Sequence, residues 1–140
     1  MIDGWPVGAH GTTFGGNPVA CAAAGAVVDS MGGLLDHARQ LSDRAFERFT
    51  KLAASSRTVG DVRGLGLMIG VELVKDPETR EPDPGALQHV SRHGLANELV
   101  VIGCGPDANV IRFIPPLVAT IDDLDRAIDL IEEAIEDYER

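Results

Sequence analysis

Positive charge is scarce in this 140-residue chain: 12 Lys and Arg stand against 22 Asp and Glu, a formal charge of −10. Such a surface repels phosphate backbones and anionic membranes, so neither a nucleic acid nor a membrane surface is an expected partner. Cysteine is nearly absent, and Cys21 and Cys104 form no CxxC pair, which excludes a disulfide framework and a thiolate zinc site. A basic stretch followed by an apolar run is missing from the N-terminus, and no uninterrupted apolar run approaches the roughly 18 residues of a membrane span. These absences together point to a cytoplasmic protein. Aromatics make up only 4% of residues against 44% hydrophobic overall, so the core must be built mainly from aliphatic side chains.

What the chain does contain is a mixture of helical and strand patterns of about one domain's length. Asn17 can cap a helix and Pro18 suits its first position, which predicts a helix from there to about Met31, stopped by Gly32 and Gly33. A second helix follows, with Leu34, Ala38, Leu41, Ala45, Phe49 and Leu52 on one stripe. The segment "VGDVRGLGLMIGVELV" alternates from Leu67 to Val74 and reads as a strand entered through a turn or bulge at Gly64 and Gly66. "KDPETREPDPG" has the composition of an exposed loop. A helix is predicted over about Gly85 to Asn97, short strands over "LVVIG" and "NVIRFIPP", and a final helix from a capping signal at Thr120 and Asp123 through Tyr138.

Three patterns are candidates for chemistry. His89 and His93, four apart on a predicted helix, could offer two nitrogens to a metal, but no third ligand is near and no metal site is expected. Gly64, Gly66 and Gly70 imitate a dinucleotide loop, yet the residues after them look like strand rather than helix, so they serve turns and close packing. Arg112 interrupts the apolar run "VIRFIPP", where it either grips a carboxylate from a strand lining a cleft or lies on the wet face of an edge strand.

The stretch "HGTTFGGNP" leaves two readings open as well. Thr12 and Thr13 supply hydroxyls, and Gly15 and Gly16 allow backbone conformations that aim N–H groups at an anion beside a helix N-terminus, phosphate being the natural guest. A loop that merely caps the helix accounts for Asn17 and Pro18 but not for the threonines and paired glycines.

"GWPVGAHGTTFGGNPVACAAA", "GDVRGLGLMIGVELVKDPETREP" and "VIRFIPPL", in that order, resemble the C-terminal part of the class III aminotransferases, pyridoxal 5'-phosphate enzymes of fold type I, most closely the 4-aminobutyrate and acetylornithine type. The resemblance covers nearly the whole chain. It implies an α/β chain: a phosphate-loop helix of the large domain over residues 1–31, then an α+β small domain over 32–140 with a short, mainly antiparallel sheet and helices packed on it. It further implies that Thr13, with Thr12 as a weaker neighbour, binds the cofactor phosphate in the partner subunit's site, and that Arg112 binds a substrate carboxylate. A homodimer, an amino donor and a keto acid acceptor follow from the same likeness.

The resemblance also places the Schiff-base lysine, the aspartate at the pyridinium nitrogen and the stacking aromatic upstream of Met1. Lys51 and Lys75 do not lie in the family's lysine context, so no catalytic residue is assigned here and the chain alone is expected not to transaminate. Met1, in "MIDGWP", falls where the family commonly has an internal Met-Asp pair, which makes a fragment the expectation. The competing expectation is a stand-alone, non-catalytic α/β module for binding or dimerisation.

Overall fold

Alternating side chains on four short segments make one antiparallel sheet, and three helices supply the rest of the described structure. The computed structural model describes residues 4, 6, 8, 9 and 11–140; Met1, Asp3 and His10, which figure in the sequence motifs, lie outside the described residues. Two compact units divide the chain, Met1–Gly33 and Leu34–Arg140.

Helix α1 runs Pro18–Ser55 without interruption, so the expected stop at Gly32 and Gly33 does not occur. Each glycine costs a helix interior about 1 kcal/mol relative to alanine, a tax rather than a barrier. No proline or capping side chain follows the pair, and strong helix formers lie on both sides. The start is as expected: Asn17 Oδ1 accepts from the Val19 and Ala20 N–H groups at 2.9 and 3.1 Å. One 18-residue window of α1 averages 1.5 in hydropathy, enough by length and composition for a membrane-crossing helix. It reaches that value through valine, leucine and alanine, interrupted by Asp29, Ser30 and three glycines, which is why no long apolar run marks it in the sequence.

The expected turn at Gly66 is present, and a strand precedes it as well as follows it: β1 (Val59–Leu65) and β2 (Met68–Leu73) pair as a hairpin. Leu65 faces Met68 across a two-residue turn, and Gly66 takes φ 58° at its first position, a conformation glycine adopts without penalty. Gly64 lies inside the ladder, and the bulge sits at Gly60, where a Cβ would come within 2.7 Å of the Val74 side chain. Beyond the loop, α2 spans Pro84–Ala96 with Asp83 capping the Ala86 N–H at 3.0 Å. Strands β3 (Ile102–Cys104) and β4 (Val110–Phe113) complete a sheet of order β1-β2-β4-β3. Asn109 fixes the register: its side-chain amide donates to the Leu73 carbonyl and its own carbonyl accepts from the Leu73 N–H.

One sheet face is covered. Ile69, Val71, Leu73, Ile111 and Phe113 meet Leu41, Ala45 and Phe49 of α1, Leu87 and Val90 of α2, and the stripe Leu124, Ile128, Ile131 and Ile135 of α3 (Ile121–Tyr138). Phe49 and Phe113 pack edge to face with ring centroids 5.2 Å apart. The capping box expected for α3 is present, Thr120 and Asp123 each accepting from the other's backbone N–H at 3.1 Å.

Ion pairs hold α1 against α3. Arg44 donates to both Asp125 oxygens at 2.6 Å, and Arg48 reaches Asp129 at 2.6 Å and Glu132 at 2.5 Å. The Arg44 hydrogen bonds keep the Asp125 carboxyl below the usual carboxylate range against the opposing pull of burial. A carboxyl whose folded pKa is depressed contributes stability that is complete above its unfolded pKa, about 4, and disappears as pH falls through the folded value. Urea melts should therefore show the unsubstituted chain losing more stability between pH 7 and pH 3 than Arg44→Gln does. Equal losses would mean that the pair contributes nothing.

Candidate functional site

The exposed face of the sheet carries its functional candidates in one cross-strand row. Arg112 on β4 stands opposite Gly70 on β2 and Ile102 on β3, and Gly70 in turn stands opposite Arg63 on β1. Directly opposed residues share a face, so two guanidinium-bearing residues flank a position with no side chain. Strand β4 is interior to the sheet, which removes the edge-strand alternative for Arg112, while its exposure places it on the open face.

The two arginines differ in what holds them. Arg63 Nη1 donates to Asp61 Oδ2 at 2.8 Å and to Glu72 Oε2 at 2.6 Å, and these carboxylates raise its pKa further. Arg112 has no carboxylate or carbonyl partner among the described residues. Arg63 is thus committed to the protein, and Arg112 keeps its planar fork of donors for something else. Beside it lies a cavity of about 640 Å³ lined mostly by aliphatic side chains from the strand ends and α3. Nothing in the sequence marks that cavity. Its walls come from Val101, Phe113, Leu124 and Ile131, each of which reads singly as ordinary core.

In the first unit, Thr12 and Thr13 are exposed and neither hydroxyl has a hydrogen-bond partner among the described residues. Gly16 takes φ 76°, a conformation that favours glycine, and a Cβ on Gly15 would sit 2.1 Å from Thr12 Cγ2 and displace that side chain. Asn17 already occupies the Val19 and Ala20 amides of α1. An anion at this loop would therefore draw on the threonine hydroxyls and loop amides rather than on those two helix donors. The donor set fits a phosphate.

Other candidates settle elsewhere. His89 Nε2 lies 3.2 Å from Asp137 Oδ2 and His93 Nε2 3.9 Å from Glu133 Oε2, between α2 and α3, without forming hydrogen bonds. They are thus packed against a helix rather than freely solvated, and no group of three or more metal-ligating side chains exists among the described residues. Gly64 and Gly70 serve the sheet and Gly66 its turn, with no helix following. Lys51 pairs with Glu47 and Lys75 with Glu81, each at 2.5 Å, and the hydrogen bond and charge of Glu81 raise the Lys75 pKa.

Comparison with known proteins agrees with the motifs. The sequence model of the family described as aminotransferase class-III matches residues 1–135. The 4-aminobutyrate aminotransferase of Mycobacterium bovis is 42% identical over 127 residues, 89% of this chain and 28% of the relative. The leucine/methionine racemase of Thermococcus litoralis is 40% identical over 141 residues, 99% of this chain and 31% of the relative. An amine transaminase from an uncultivated Pseudomonas species, solved with pyridoxal 5'-phosphate (PLP) bound as the internal aldimine, superposes with a TM-score of 0.77 at 34% identity, covering 91% of this chain and 29% of that one. The chain thus spans under a third of the length of these relatives.

Proposed function

The chain belongs to the class III aminotransferases, whose cofactor is pyridoxal 5'-phosphate, and we propose that it is the C-terminal part of an enzyme moving an amino group from an amino acid or ω-amino acid to a keto acid. The observation that carries this reading is the uncommitted guanidinium of Arg112 on a sheet whose other arginine is doubly paired. A substrate carboxylate accepts two parallel N–H bonds from such a fork, which orients the amine-bearing carbon with respect to the cofactor. Thr13, with Thr12 beside it, binds the cofactor phosphate, in this reading across a homodimer interface. Residues 1–31 are then a remnant of the large domain and 32–140 the small domain, in a cytoplasmic enzyme.

PLP supplies the electron sink for the reacting carbon, and it requires an amine to hold it and to move the proton. Neither lysine here is suited to that. A Schiff-base amine must be available deprotonated, whereas Lys75 is pushed the other way by Glu81 and Lys51 is engaged by Glu47. The isolated chain should therefore be inactive. Incubation with PLP, borohydride reduction and mass spectrometry should give no saturable adduct at a single lysine; one stoichiometric adduct at Lys51 or Lys75 with measurable transamination would overturn the reading.

The 40% identity to a leucine/methionine racemase supports a second reading, in which the complete enzyme inverts the amine-bearing carbon. The two differ in product. The first yields a keto acid from an amino acid donor, or an aldehyde from an ω-amino acid donor, and the second yields the opposite enantiomer with no net deaminated product.

A further inference from the structure

The register of the sheet puts one carboxylate within reach of both arginines. Gly70 on β2 stands opposite Arg63 on one side and Arg112 on the other. Glu72 lies two residues further along β2, so it shares their face, and it is the diagonal neighbour of each. The two diagonals are equivalent, because each runs from Glu72 to the residue that faces Gly70 on a neighbouring antiparallel strand. On the β1 side the diagonal is spanned by an ion pair, Arg63 Nη1 donating to Glu72 Oε2 at 2.6 Å. An arginine and a glutamate so placed can therefore meet, and Gly70 has no side chain to separate them. Val110, opposite Glu72 on β4, is short and packs toward Gly70, where a Cβ would come within 3.3 Å of its Cγ1.

Asp61 decides which arginine Glu72 takes. It stands opposite Glu72 on β1, and two carboxylates facing each other across a ladder destabilise it unless a cation joins them. Arg63 Nη1 donates to both, to Asp61 Oδ2 at 2.8 Å and to Glu72 Oε2 at 2.6 Å. Two carboxylates against one guanidinium leave a surplus negative charge on the face that carries the free fork of Arg112. We propose that Glu72 is an internal competitor for the Arg112 guanidinium and that Arg63 is a positioning residue, holding Glu72 on the β1 side so that Arg112 stays open to a carboxylate from outside. The proposal rests on reading Arg112 as a carboxylate-binding residue and goes beyond it: the availability of Arg112 is set on the neighbouring strand pair, by a side chain that touches no substrate. Ion pairs as exposed as this one are weak, so Glu72 can change partner while the sheet stays folded.

Phenylglyoxal adds to the deprotonated guanidine and is slowed by carboxylate pairing, so it reads the competition in the 140-residue chain, with each modified arginine located by peptide mass spectrometry. Arg112 should react faster than Arg63, whose hydrogen bonds to Asp61 and Glu72 raise its pKa. Arg63→Gln should slow Arg112 by about threefold, the scale of a partly exposed ion pair. Adding Glu72→Gln to Arg63→Gln should restore the original rate, and Arg63→Lys, which keeps a cation on Glu72, should leave it unchanged. If Arg63→Gln does not fold, the same comparison is made with Asp61→Asn added, which removes the facing charge on β1. An Arg112 rate unchanged by Arg63→Gln, or slowed equally with and without Glu72, overturns the proposal.

The consequence for binding is read in an enzyme in which this chain replaces the matching segment of the Mycobacterium bovis relative. Arg63→Gln should raise KM for a carboxylate-bearing donor by about threefold with kcat little changed, and Glu72→Gln should reverse it. A KM sensitive to Arg112→Gln but not to Arg63→Gln overturns the proposal alone. Indifference to Arg112→Gln overturns the reading on which it rests.

Discussion

Replacing Phe49 by alanine is expected to cost about 3–5 kcal/mol, the range for removing a fully buried aromatic ring. Phe49 has no exposed surface, and it joins α1 to the sheet through its edge-to-face contact with Phe113. The ring belongs to the same core cluster as side chains of the sheet and of α3, so filling the gap would require those neighbours to move. Domains of this kind are held by only about 5–15 kcal/mol in total, so the variant should unfold at much lower urea. Val19→Ala, on the 79% exposed part of the same helix, is the control and should change stability by less than about 0.5 kcal/mol. A urea midpoint for Phe49→Ala close to that of the control would show that the core does not depend on this contact.

The contrast between Phe49 and Val19 also shows what the sequence makes legible. The stripe Leu41, Ala45, Phe49 and Leu52 is visible from spacing alone, and all four are buried. Val27 and Val28 look equally apolar, yet they are 60% and 69% exposed, because composition says nothing about whether a covering surface is supplied. Periodicity likewise finds β2, and the glycines mark the turn at Gly66 before it, but not that the residues ahead of that turn form a second strand, β1, because Gly60 and Gly64 break the alternation there. Gly32 and Gly33 mislead in the opposite direction: a glycine pair is a helix end only when something caps it, and nothing does. Thr120 and Asp123 are the favourable case, where each side chain names its partner three residues away and the geometry is entirely local.

The site divides along the same line. That Arg112 needs an anionic partner follows from its place in an apolar run, but which arginine stays free depends on register. Arg63 pairs with Glu72, nine residues on across the hairpin, and this pairing sets Arg63 apart from Arg112. The cavity is a property of four separate segments and has no sequence signature at all.

Arg112 carries the largest expected effect on activity, and the reading of it can be tested in an enzyme that turns over. A chimera in which this chain replaces the matching C-terminal segment of the Mycobacterium bovis 4-aminobutyrate aminotransferase would supply the upstream residues the proposal requires. Arg112→Gln in that chimera should lower kcat/KM for a carboxylate-bearing donor or acceptor by about a hundredfold or more, the loss expected when one member of a charged, bidentate pair is removed. Arg112→Lys keeps the charge but not the fork and should lose about tenfold. The decisive comparison is an amine donor with no carboxylate, whose half-reaction should be nearly indifferent to both substitutions, because nothing on it meets the guanidinium. A uniform loss across donors would instead mean that Arg112 supports the sheet, and the arginine would then be a structural residue on an exposed face with its donors turned to water. The register argues against that outcome: Gly70 offers Arg112 no side chain to brace against, and Ile102 on the other side offers no acceptor.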